Sequence, residues 1–165
     1  MKYSIKDFLD TFGGSEIYYD PRFQRKAVWT RICGDKYISA CTKGRGFLST
    51  IVLANIRKCL KLAKKAGLRA DINYFEDLLN NGYEFISLDG QNRAKWVERV
   101  VKNELTVTAT LVDADGGEFK ATNKFFKDLP PRVQDGIYNS FISVIHDVVA
   151  SSQVELAEIF RDLND

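Results

Sequence analysis

The stretch from Gly82 to Arg99, GYEFISLDGQNRAKWVER, constrains the fold more than any other. Tyr83 to Leu88 is short, apolar and aromatic-rich, which predicts a buried strand. Ala94 to Val100 reads as a helix, and Asp89-Gly90-Gln91-Asn92-Arg93 joins the two. A strand that turns through glycine into a helix leaves backbone N–H groups pointing outward at the helix N-terminus, where the dipole favours an anion. Gly90 lets a phosphate approach the backbone closely. Arg93, one turn into the helix, offers phosphate a planar fork. Asp89, at the strand's end, is the kind of ligand Mg²⁺ takes together with its waters. The same Asp-Gly pair is also ordinary helix-capping chemistry, and that reading stands beside the first.

The 165 residues suffice for one domain with a substantial core. A net charge of +2 argues against a chain that binds nucleic acid by overall charge. No apolar run reaches the roughly 18 residues of a membrane-spanning helix. The opening MKYSIKDFLD lacks the apolar run of a signal peptide. Cys33, Cys41 and Cys59 are odd in number and show no CxxC pairing, which predicts reduced thiols and a cytoplasmic location. His146 is the single histidine, so metal centres that need two histidines, including the usual histidine-metal nucleases, are excluded on this chain.

In chain order, Ser4 to Phe12 reads as a helix capped by Ser4, and Ile17 to Tyr19 as a short strand. Gln24 and Arg25 follow, flanked by Phe23 and Trp29. Either they face a ligand, with Arg25 as a second phosphate fork, or they form a solvated turn beside a core tryptophan. Thr30 caps a helix from Arg31 to Thr42. Lys43-Gly44-Arg45-Gly46 is a weak phosphate-cradle signal, more often a flexible turn. Phe47 to Ala54 reads as a central strand and Asn55 to Gly67 as a helix. Arg57, Lys58, Lys61, Lys64 and Lys65 cover one side of that helix with no acid among them, and Arg69 follows. Such a face is a solvated surface or a set of DNA-backbone contacts.

Asp71 to Asn81 reads as a helix, Leu105 to Val112 as a strand, and Asp113 to Gly117 as a hairpin turn. Asn123 to Leu129 reads as a short helical piece and Pro131 to Asn139 as a helix with an early proline. Phe141 to Val149 is a third apolar strand, holding His146 as a core or edge residue. Ser152 and Glu155 form a capping box for a helix to Leu163. The whole is an α/β chain with a mixed sheet.

Three separated stretches resemble one family. Tyr19-Asp20-Pro21-Arg22-Phe23-Gln24-Arg25 with Trp29, Asp89-Gly90-Gln91-Asn92-Arg93, and Ile159-Phe160-Arg161-Asp162-Leu163-Asn164 resemble three motifs of the N-terminal domains of GmrSD-type restriction endonucleases: an aromatic-QR-W signature, DGQxR and IFxxLN. The resemblance implies a ParB/sulfiredoxin-like nucleotide-binding fold over residues 1–165. It also implies a nucleoside triphosphatase that regulates cleavage of modified DNA in restriction and phage defence, with cutting done by a separate HNH-type domain or subunit. Carried over, Asp89, Gly90, Gln91 and Arg93 form the phosphate and Mg²⁺ loop, Gln24 and Arg25 face it, and Asn164 closes it. Asn92 stands where the family usually has Gln. The family motif continues beyond its LN, so the chain is expected to be either the N-terminal part of a longer protein or a minimal form.

The mechanism so implied is Mg²⁺-dependent hydrolysis of a nucleoside triphosphate. Asp89, Gln91, Arg93 and Gln24 act on the reacting phosphate, while Arg25, Gly90, Asn92 and Asn164 hold the nucleotide. The rival reading is a non-catalytic DNA-binding or protein-interaction module using the basic helix.

Overall fold

A computed structural model describes residues 1–13, 16–25 and 28–164. In chain order the elements are β1 (Lys2–Ser4), α1 (Ile5–Phe12), β2 (Ile17–Tyr18), α2 (Arg31–Thr42), β3 (Thr50–Asn55), α3 (Ile56–Ala66), α4 (Arg69–Asn80), β4 (Phe85–Asp89), α5 (Gln91–Val101), β5 (Val107–Val112), β6 (Glu118–Lys124), α6 (Pro131–Tyr138), β7 (Phe141–Val148) and α7 (Gln153–Asn164). This is the mixed α/β architecture that the alternation of apolar runs and helical periods predicts. None of the helices among the described residues is long and apolar enough to cross a membrane.

Backbone contacts divide the chain into two compact units: Met1–Thr11, Ala27–Thr50 and Asn92–Ser143 form the first, and Phe12–Lys26, Ile51–Gln91 and Val144–Asp165 the second.

In the first unit, α1 starts where Ser4 Oγ accepts from the Asp7 N–H at 3.0 Å. β1 pairs antiparallel with the start of β7, Lys2 facing Ser143. Thr30 Oγ1 accepts from the Cys33 N–H and caps α2. β5 and β6 form an antiparallel hairpin whose turn is held by Asp113, with Oδ1 accepting from the Asp115 and Gly117 N–H groups at 2.9 and 2.8 Å. Trp29 packs edge to face on Tyr37 of α2 with ring centroids 5.4 Å apart, and Trp96 lies tilted against Trp29 at 6.4 Å.

In the second unit, β3 runs antiparallel to β4, and β2 lies parallel on β4's other side, with β7 the further neighbour of β3. Val52 faces Asp89 while the next residue, Leu53, faces Ser87. Leu88 is therefore the extra residue of a β-bulge just before the strand ends. Bulges of this kind bend a strand and re-aim the side chains that follow. Asn55 Oδ1 caps α3 by accepting from the Lys58 N–H, and Gly67 ends it in the left-handed region. The core packs Phe23, Val52, Ile56, Cys59, Phe75, Ile86, Leu88 and Leu156.

The strands β1 and β6 have no counterpart in the sequence reading, and two stretches also depart from it. Gly46–Leu48 is a 3₁₀ turn, and β3 begins only at Thr50. Phe47 and Leu48 stay exposed, so their apolarity reports no strand. Asn123 and Lys124 end β6, and only Phe126–Asp128 is helical, as a single 3₁₀ turn.

Candidate functional site

The second unit gathers residues from three distant stretches at the end of β4. Asp20 is the anchor of the first. It is 3 % exposed and accepts from its neighbour's side chain, Arg22 Nε at 3.1 Å and Arg22 Nη2 at 2.7 Å, and from the Tyr74 hydroxyl at 2.7 Å. Burial pushes its carboxyl up, but the hydrogen bonds from Arg22 and Tyr74 outweigh that and hold it below its ordinary range. Arg22 Nη2 also donates to Gln153 Oε1, and Gln153 Nε2 donates to Asp71 Oδ1. This network ties the segment before Gln24 to α4 and α7.

With that segment fixed, Gln24 Nε2 donates to the Ser87 carbonyl on β4 at 2.9 Å. Arg25 then turns its guanidinium to two partners. Nη2 lies 3.5 Å from Asp89 Oδ1, and Nε donates to Asn164 Oδ1 at the end of α7. Asn164 is itself held, its Nδ2 donating to the Phe160 carbonyl at 2.7 Å. The QR pair, the DG pair and Asn164 therefore meet, although Arg25 and Asn164 are 139 positions apart. Ser87 Oγ, two residues before Asp89, is buried and has no hydrogen-bond partner among the described residues.

Gly90 has φ +85°, and a Cβ there would lie 2.9 Å from Ile51 Cα. Only glycine fits both the left-handed backbone and the close approach of β3. The packing on Ile51 accounts for this glycine without invoking a phosphate. α5 begins at the next residue, Gln91, which completes the strand–glycine–helix turn expected from the sequence.

Asn92 and Arg93 belong to the first unit. There Asn92 Oδ1 accepts from the Trp29 N–H at 3.4 Å, and Arg93 Nη2 donates to the Thr50 carbonyl at 3.0 Å. Both side chains hold backbone of their own unit.

The basic residues of α3 sit on its outer side as expected, with Lys58, Lys61, Lys64 and Lys65 exposed. Arg57 is committed to Glu84, at 2.9 Å through both Nε and Nη2. His146 packs its ring against Phe12 and Phe85, which is the structural role its strand position predicts. Among the described residues no group of three or more His, Cys, Asp or Glu side chains could hold a metal ion. Asp89 alone offers one carboxylate, which suits Mg²⁺ only when phosphate oxygens and waters supply its other ligands.

Sequence reasoning missed Asp20 as an organiser and Ser87 as a buried hydroxyl. A charged residue before proline gives no sign of burial. Ser87 was legible only as the one polar residue inside the apolar run FISL.

Comparison with protein-family models, with curated proteins and with solved structures returns no match.

Proposed function

We propose that the second unit binds a nucleoside triphosphate at the end of β4 and hydrolyses it slowly. The observation that carries the reading is Arg25 held between Asp89 and Asn164. It brings the QR, DG and LN stretches of the resemblance to one place. Arg25 offers a planar fork to phosphate oxygens, and Asn164 adds an amide beside it. Asp89 would hold a Mg²⁺ ion brought in with the phosphates; such an ion neutralises phosphate charge. Gln24 fixes the distance between Arg25 and β4 through the Ser87 carbonyl. Ser87 Oγ supplies a further polar group whose hydrogen-bonding capacity is unspent among the described residues. The ParB/sulfiredoxin-like fold, the link to restriction of modified DNA and the cytoplasmic location belong to the same reading.

The test is thermal unfolding against ATP, GTP, CTP and UTP, with and without Mg²⁺, followed by phosphate release. A nucleotide at 100 times its dissociation constant adds about 2.7 kcal/mol. Arg25→Ala is expected to abolish the shift. A shift that survives Arg25→Ala would remove this site from the reading, and phosphate release separates an enzyme from a sensor.

A second reading rests on α3, where Lys58, Lys61, Lys64 and Lys65 form one exposed basic face. Contacts of this face to DNA phosphates would weaken steeply with salt. Lys61→Gln with Lys64→Gln is expected to flatten that dependence. DNA binding indifferent to the pair would sink this reading.

A further inference from the structure

The first unit carries a groove that the proposed nucleotide site does not use. It has a volume of about 550 Å³ and runs between one face of α2 and the edge of β5. Ligand clefts commonly hold 300–1,000 Å³. Lys36 on α2, Lys43 at the residue that caps its C-terminal end, and Arg45 two residues further all line this groove. Ile32, 68 % exposed, forms an apolar patch at the other end.

Three cations face one acid in this groove, and the acid is occupied. Asp35 Oδ1 accepts from the Thr108 N–H at 3.3 Å, and burial pushes its carboxyl up. The polar floor is also closed, since Ser39 Oγ donates to the Thr110 carbonyl at 2.6 Å. The backbone of the Lys43-Gly44-Arg45 turn offers an anion nothing. Its N–H groups return to the carbonyls of Ser39, Ala40 and Cys41 and close the end of α2. Recognition here belongs to the side chains of Lys36, Lys43 and Arg45.

We propose that this groove binds a small phosphorylated molecule, its phosphate on Lys43 and Arg45 and its uncharged body along α2 toward Ile32. A phosphate monoester or diphosphate matches the cation excess, and the guanidinium of Arg45 suits two phosphate oxygens at once. The volume admits a body of nucleoside size. The inference stands on the first unit alone and does not depend on the site at Arg25.

The test is titration of the ¹⁵N-labelled chain with AMP and with inorganic pyrophosphate, followed by amide chemical shifts. Shifts are expected at Lys36, Ser39, Lys43, Arg45 and Thr108 to Thr110. Lys43→Gln with Arg45→Gln is expected to weaken binding by about tenfold or more while leaving the unfolding midpoint unchanged, because both side chains are exposed. Arg25→Ala is expected to leave these shifts intact. The proposal is overturned by unchanged affinity in the double variant, by shifts that vanish in Arg25→Ala, or by no shift with either probe at millimolar concentration. A single-stranded oligonucleotide that moves these amides where AMP and pyrophosphate do not would also overturn it, in favour of a nucleic-acid strand.

Discussion

Ser39 Oγ donates to the carbonyl oxygen of Thr110 at 2.6 Å, and this bond is the middle one of three. Asp35 accepts from the Thr108 N–H and Thr42 Oγ1 accepts from the Val112 N–H at 3.0 Å. Positions 35, 39 and 42 share a helix face, while 108, 110 and 112 share one edge of a strand. The helix thus covers an edge of β5 that would otherwise offer unpaired backbone to another chain.

Ser39→Ala removes the partner of a half-buried carbonyl. It is expected to cost about 1–2 kcal/mol in urea unfolding with an unchanged slope. A loss below about 0.3 kcal/mol would mean that water satisfies Thr110 in place of the hydroxyl.

Gly34 lies within α2, in its first turn, where glycine is a poor choice on propensity alone. The reason is Trp96, whose Cε2 would lie 1.8 Å from a Cβ on residue 34. Gly34→Ala must push the indole aside and is expected to destabilise by about 3 kcal/mol or more, at the upper end of overpacking costs. Trp96→Leu in the same chain is expected to relieve part of that cost. Two penalties that simply add in the double variant would refute a direct clash.

The pH dependence turns on Asp20. Its carboxyl is held below its ordinary value of 3.8, chiefly because the bonds from Arg22 and Tyr74 overcome the cost of burial. A depressed carboxyl contributes stability that is present above its unfolded value and is lost as pH falls through the folded one. Asp20→Asn is therefore expected to lower stability by about 1–3 kcal/mol at pH 7. The gap between wild type and variant should narrow as pH falls below about 4. Urea midpoints at pH 7, 5 and 3 test this, and a gap independent of pH would assign Asp20 a purely steric role.

Local signals in the sequence were readable because their partners are a few residues away. Thr30 caps one helix and Gly67 ends another, where their residue types predict. Asp113 holds the hairpin turn its spacing suggests. The strand–glycine–helix turn was legible for the same reason, and so was the α/β alternation. Phe47 and Leu48 misled because an apolar pair carries no sign of whether it is buried. β6 was hidden because Glu118–Lys124 is polar almost throughout, with only Ala121 fully buried. Asp20 could not be recognised as a buried anchor, since its partner Tyr74 lies 54 residues away. The approach of Arg25 to Asp89 and Asn164 has no counterpart in any periodicity of the sequence, because the three residues lie on distant stretches. Asn92 and Arg93 were legible as polar groups, but their use on the Trp29 N–H and the Thr50 carbonyl depends on tertiary placement.

The three cysteines differ enough in surroundings to be told apart by chemistry. All are free thiols; Cys33 is exposed, while Cys41 and Cys59 are buried. Burial pushes the Cys41 thiol up to about 11, and burial also raises that of Cys59, against the lowering effect of the Ala150 N–H that points at its sulfur. The thiolate is the reactive form, so access and ionisation both disfavour these two. At pH 8 a disulfide reagent such as dithionitrobenzoate is expected to titrate one thiol quickly in the native protein and all three in urea. Cys33→Ser is expected to abolish the fast phase without moving the unfolding midpoint. A second thiol reacting at the rate of the first would show that α2 or α3 opens locally far more often than its buried cysteine implies.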